Sequence, residues 1–188
     1  MIIVNSAGNQ GVDYAANPGF FATVVDSEGN LVLGGKMLIV GAVDQDNNFS
    51  GYSNKAGHLC MDIVDNKCND KYKVSDFYVL APGNTYSTDG QGGYQVLMGT
   101  SMAAPIVTGQ IAILHQMWPH MKGENLVKLV TSTANKDAIN RTINELNFQA
   151  SVLDMMGLPQ DHTAPMNIHV NYTPKMDEGL QMVATRFF

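Results

Sequence analysis

Apolar and polar residues fall along this chain in short blocks, and the blocks are fenced by turn formers. "MIIVNSA" begins with aliphatic and β-branched residues and runs into "GNQG", a turn signal, as expected of a buried strand in a parallel sheet. "LVLGGKMLIVGAVDQ" holds a second such run, Met37 to Val43, with glycines before it and the turn-rich "DQDNN" after it. "DFYVLAPG" holds a third, stopped by Pro82 and Gly83. Three buried strands with loops at their carboxyl ends predict an α/β fold in three layers, a mostly parallel sheet flanked by helices.

Two stretches have helical character. From about Ser101 to Trp118 nearly every residue is apolar or small, which predicts a helix buried on all sides and ended by Pro119. Pro105 is placed in its first turn, where a missing N–H is harmless. From Glu124 to Ala134 apolar and polar residues alternate in the amphipathic manner of a covering helix. The last stretch, "PQDHTAPMNIHVNYTPKMDEGLQMVATRFF", has three prolines and weak periodicity. It reads as a tail or linker, dividing the chain into residues 1–158 and 159–188.

Composition narrows the function classes. At 188 residues and 45% hydrophobic content the chain can build the core of one ordinary domain. A formal charge of -6 and the lack of a Lys/Arg cluster exclude a nucleic-acid partner. Gln110, His115 and Gln116 interrupt the longest apolar run well short of the roughly 18 to 20 residues a membrane span needs. The opening "MIIVNSAGNQG" lacks the basic and apolar regions of a signal peptide, so the expectation is either retention or a piece of a longer precursor.

Cys60 and Cys68 lie in "GHLCMDIVDNKCND" with seven residues between them. No further Cys or His follows at zinc-finger spacing, which disfavours a metal. A disulfide closing so short a polar loop would be worth roughly 2.5 kcal/mol in the chain-entropy model. Two free surface thiols are the alternative in a reducing compartment.

Chemistry concentrates at Ser101. A serine in the first turn of a buried helix has unsatisfied N–H groups and the positive end of the helix dipole beside it, both favourable to a developing oxyanion. The same position suits a simple N-cap. The surrounding residues separate these readings. "GTSMAAP" followed by "VTG" resembles the active-site serine motif of the subtilisin-like serine peptidases, the subtilase family (peptidase family S8). Far upstream, "VNSAGNQG" resembles the family's strand and loop carrying the oxyanion-hole asparagine, which falls on Asn9. Weaker echoes come in the family's order between them: "LIVGAVDQ", "FSGYSNKAG" and "YVLAPGNTYST". Together they span about Ile2 to Ala134.

The resemblance implies peptide-bond hydrolysis through an acyl-enzyme. Ser101 would be the nucleophile, with its backbone N–H and the Asn9 amide holding the oxyanion. Losing one such donor in a subtilisin costs roughly 2.7 to 4 kcal/mol. Ser6, Ala7 and Gly8, with Thr100, would contact the substrate. The family's histidine and aspartate precede the asparagine, and eight residues precede Asn9 here, so the match supplies neither. None of the five histidines replaces them by position. His115 lies fourteen residues past Ser101 on one helix, about 21 Å along its axis.

Two readings follow. In the first, the chain is the carboxyl-terminal part of a subtilase catalytic domain, with Asp and His on an upstream segment or a separate chain. In the second, it is a hydrolytically inactive binding or interaction module. The expected sheet is incomplete at its N-terminal side, leaving a strand edge for an upstream segment or a second copy. The partner implied is a polypeptide substrate. No cofactor is required, although relatives with calcium make "DQDNN" and "DNKCND" candidate oxygen donors against a reading as solvated turns. The family and the disulfide imply secretion or a cell-surface or periplasmic location.

Overall fold

Aliphatic runs at the expected places build the central sheet. The computed structural model describes residues 1–13, 24–57, 60, 63–64, 67–68, 73–136 and 144–157. Strands β1 (Ile3–Ser6), β2 (Met37–Val43) and β5 (Tyr78–Pro82) are parallel neighbours. The register sets Ser6 opposite Val40, and Val40 opposite Val79. Beyond β5 lie β9 (Asn144–Glu145), parallel to it, and β8 (Asn135–Lys136), antiparallel to β9. The sheet order among the described residues is therefore β1-β2-β5-β9-β8, with β1 at one edge of them. Two antiparallel hairpins stand apart: β3 (Ile63–Val64) with β4 (Lys67–Cys68), and β6 (Asn84–Thr88) with β7 (Tyr94–Met98).

β2 is buried along its whole length, and its alternating side chains feed two cores. Leu38, Val40 and Ala42 face the same core as Val79 and Ala81 of β5, packed by helices α1 (Thr100–Met117) and α2 (Gly123–Thr133). Met37, Ile39 and Val43 face the other side with Tyr78 and Leu80, against Val74 and the half-buried Leu31, Leu33, Phe49 and Ala56. Helix α3 (Phe148–Met155) joins the first core through Phe148, Val152 and Met155. Its N-cap Asn147 accepts the Ala150 N–H at 2.8 Å and donates to Asn135 at 2.7 Å. Among the described residues all three helices thus cover one face, and loops with a single 3-10 turn at Val74–Phe77 cover the other.

The structure corrects three expectations. β1 is half-buried rather than buried, because it has a strand neighbour on one side only among the described residues. α1 is buried on one face, through Thr100, Ala103, Val107, Ile111 and Leu114, while Ala112, Ile113 and Met117 are exposed. An all-apolar composition states what a helix can bury, and the neighbours decide what it does bury. Pro105 is the sixth helical residue, not a first-turn one, so the Ser101 carbonyl loses the donor that an N–H at position 105 would give it. Residues 158–188, the expected tail, lie outside the described residues.

Candidate active site

The carboxyl ends of the parallel strands carry the loops in which α/β folds place their ligands. β1 continues its ladder one residue beyond the strand, the Ala7 N–H donating to the Val40 carbonyl at 2.8 Å. Gly8 then turns the chain at φ 98°, and its N–H donates to Thr100 Oγ1 at 3.1 Å. Thr100 is fully buried at the start of α1, so a link across 92 positions of sequence fixes the loop to the helix.

Asn9, exposed at the loop's tip, completes that link. Its Oδ1 accepts from the Thr100 N–H at 2.9 Å and from Thr100 Oγ1 at 3.0 Å. A backbone nitrogen only donates, so the amide orientation is settled: oxygen toward Thr100, Nδ2 turned away from it. That Nδ2 sits 3.1 Å from where a Cβ on Gly99 would be, and Gly99 itself has φ 152°. That φ favours glycine there, and a side chain would press on the Asn9 amide. The Gly99 N–H is held by the Gly83 carbonyl at 2.9 Å, which ties the turn before α1 to the end of β5.

Ser101 is exposed as the second residue of α1, with no acidic residue in that first turn to offset the helix dipole. Its own N–H belongs to the first-turn set without an intrahelical carbonyl. Within that set the Thr100 N–H is bound to Asn9 Oδ1 and the Met102 N–H to the Gly99 carbonyl at 3.0 Å, while the Ser101 N–H adjoins the exposed hydroxyl of its own residue. Of the other residues expected to meet substrate, Ser6 and Gly8 are half-buried, Ala7 is buried, and the Thr100 hydroxyl is engaged internally. Beside the site the β6–β7 hairpin exposes Tyr86, Tyr94, Val96 and Met98 on one face, the two tyrosine rings stacked at 5.6 Å.

No base stands near Ser101 among the described histidines. His115 and His120 are exposed at and beyond the far end of α1, whereas His58, His162 and His169 lie outside the described residues. Cys60 is disulfide-bonded. Its expected partner Cys68 is on β4, its side chain outside the described residues. In "DQDNN" the Asp44 carboxylate accepts the N–H groups of Asp46 and Asn48 at 2.9 Å, so the turn closes on its own bonds. "DNKCND" falls largely outside the described residues. No group of three metal-ligating side chains occurs among those described, and none of their helices is long and apolar enough to cross a membrane.

One residue beneath the loop was not recognised from sequence. Asn54, 7% exposed, receives and donates several hydrogen bonds under Asn9. The signal available was its place in "FSGYSNKAG", where an asparagine between turn formers reads as a surface residue.

Known proteins resemble this chain in sequence and fold. The model of the subtilase family matches residues 1–155. Subtilisin DY of Bacillus licheniformis is 28% identical over 135 residues, covering 71% of this chain and 39% of the relative. Subtilisin-like protease 1 of Plasmodium berghei (strain Anka) is 38% identical over 115 residues, 49% of this chain and 19% of its own. Among solved structures, the patellamide maturation protease PatA superposes with a TM-score of 0.55 at 26% identity, over 82% of this chain and 51% of that one. The self-cleaved protease domain of PatA gives 0.56 at 23%, over 82% of this chain and 50% of that one, a likeness of fold. The chain therefore spans about two-fifths of subtilisin DY and half of PatA, and over residues 1–155 it belongs to the subtilase family, whose subtilisin-like α/β fold it shares.

Proposed function

We propose that the chain supplies the nucleophile and the oxyanion hole of a serine endopeptidase, and that the triad's Asp and His come from a segment upstream or on a separate chain. The observation that carries this reading is the Asn9 amide, clamped by its oxygen to Thr100 and left with its NH2 end free of that clamp beside Gly99. Ser101 Oγ would attack the carbonyl carbon of a polypeptide, forming the tetrahedral intermediate and then the acyl-enzyme with expulsion of the amine. The negative oxygen would be met by Asn9 Nδ2 and the Ser101 N–H, donors already oriented before any charge develops. The proton released by Ser101 needs a base, which the partner segment provides. Ser6, Ala7 and Gly8 line the approach of the substrate. No metal-dependent step enters this scheme. A secreted or surface location accords with the Cys60 disulfide.

The edge position of β1 offers the partner segment a strand to pair with, and the exposed side of α1 an apolar seat. A second reading, an inactive interaction module, is favoured by the remoteness of His115 and His120 from Ser101. A fluorophosphonate probe separates the two. The chain alone should label slowly or not at all, and a longer product of the same reading frame should label rapidly, with Ser101→Ala abolishing it. Rapid turnover by the chain alone, lost in Ser101→Ala, would remove the need for a partner. No labelling of the longer protein would favour the module.

A further inference from the structure

We propose that Asn54 is the positioning residue of the Asn9 loop, acting through that loop rather than on the substrate, and that Tyr78 sets Asn54 from the core. The proposal rests on the reading of Asn9 as an oxyanion donor. Its evidence is a complete use of one side-chain amide. Asn54 Oδ1 accepts the N–H groups of Gln10 and Val12, each at 3.1 Å. Asn54 Nδ2 donates to the Ala7 carbonyl and to Gln10 Oε1, each at 2.9 Å. Two acceptors and two donors are all that an amide owns.

These bonds bracket Asn9 on both sides, from Ala7 before it to Gln10 and Val12 after it. Further rungs join the same two segments: the Asn54 N–H to the Gly8 carbonyl at 3.0 Å, Gly11 N–H to Tyr52 at 2.7 Å and Lys55 N–H to Val12 at 2.9 Å. The backbone N–H groups of Gln10 and Val12 can only donate and the Ala7 carbonyl can only accept, so the pattern requires both ends of an amide. A carboxylate would lose the donor half, and leucine both halves.

Asn54 is anchored in turn from the sheet. Its carbonyl accepts Tyr78 Oη at 2.6 Å and Ser53 Oγ at 3.2 Å, while Ser53 Oγ also accepts the Ala42 N–H at 3.0 Å. The Tyr78 phenol lies over Gly41, where a Cβ would collide with its oxygen, so β2 carries glycine to admit it. Positions of β2 and β5 thus determine where the segment of Asn54 sits. That segment determines where Asn9 meets Thr100, and oriented donors contribute only when held in place before reaction.

Amide hydrogen exchange of the full chain by NMR tests this without requiring catalysis. In Asn54→Leu the Gln10, Val12 and Thr100 amides should exchange at least tenfold faster relative to the β2 amides of Leu38 to Val40, which report general opening. Asn54→Asp, keeping the acceptor oxygen, should recover protection at Gln10 and Val12. Asn147→Leu, a comparably buried loss at the α3 cap, should leave the loop-to-β2 ratio unchanged. An equal change in loop and β2 amides, or an unmoved Thr100, would overturn the proposal. Should Asn54→Leu fail to fold, Tyr78→Phe decides instead: a selective rise of about threefold at Gln10, Val12 and Thr100 is expected, and none would overturn it. Fluorophosphonate inactivation of the longer protein addresses the underlying reading separately. If Ser101 labels, Asn54→Leu should lower the inactivation rate constant at unchanged probe affinity. If Ser101 never labels, the oxyanion reading fails while exchange still decides the role of Asn54.

Discussion

Replacing Thr100 by valine isolates the hydroxyl that joins the two halves of the site. The shapes are nearly equal and both residues are β-branched, so helix propensity and packing change little. What disappears is a buried hydroxyl that accepts the Gly8 N–H at 3.1 Å and donates to Asn9 Oδ1 at 3.0 Å. Asn9 Oδ1 keeps the Thr100 N–H at 2.9 Å, so its loss is small. Gly8 N–H keeps nothing on that side, and a donor left without its partner away from water costs about 1–3 kcal/mol. The net expectation is a loss of about 1–3 kcal/mol, a fall in Tm of roughly 2–4 °C per kcal/mol for a chain of this length. Urea denaturation followed at Trp118, the one tryptophan and packed against the helix-side core, measures it. A double-mutant cycle with Asn9→Ala should return a coupling of about 0.5–3 kcal/mol, because both residues share one network. A Thr100→Val chain as stable as wild type, or additive losses in the cycle, would refute the reasoning.

The remaining predictions are simpler. Ser101→Ala should change stability by no more than about 0.5 kcal/mol, since the side chain is exposed; a larger loss by urea titration would mean that the serine is structural. Leu114→Ala, at a fully buried position of α1, should cost about 2–5 kcal/mol by the same titration, and a loss under 1 would show that the core can collapse around the cavity. Burial pushes the Tyr78 phenol from an ordinary 10.0 up to about 12, so the folded state favours the neutral form. That contribution is fully present below pH 10 and falls as pH rises from 10 through 12, by about 1.4 kcal/mol per unit. Tyr78→Phe should therefore flatten the decline of the urea midpoint between pH 10 and 12, and an unchanged slope would contradict the burial argument.

How much of this could be read in the sequence depended on whether a residue's needs were local. β2 was legible to its ends, Met37 and Val43, because both faces are buried and turn formers fence it. α1 was placed within a residue by its nearly unbroken apolar and small content, and α2 within a residue by its amphipathic alternation. The β6–β7 hairpin was missed although "DGQGG" is a turn signal, because its strands are half polar and exposed and so show no buried run. α3 was missed because eight residues give little periodicity, and its Asn147 cap is informative only once the helix is known. Ser101 and Asn9 came from a resemblance, since no local pattern relates two residues so far apart. Asn54 was invisible for a different reason: a polar residue between turn formers looks solvated, and the two acceptors and two donors that bury it belong to another segment.

Both halves of the site hang from the same strand. The Asn9 loop leaves β1, whose ladder ends on the Val40 carbonyl, while the turn before Ser101 is tied through Gly83 to the Val43 carbonyl at 2.9 Å. A displacement of β2 would carry the loop and the helix start together and leave their relation largely intact. What fixes the relation itself is the short set of polar contacts between segments: Gly8 with Thr100, Thr100 with Asn9, and Asn54 beneath the loop. Each of these donors and acceptors is directional, whereas the apolar cores on either side of β2 are not, so packing sets the strength of the frame and hydrogen bonding sets the aim of the amide. Aim is therefore where the site is most sensitive: a core truncation should lower stability with the Asn9–Thr100 geometry retained in the folded fraction, and a change at Thr100 or Asn54 should alter that geometry even where the fold survives.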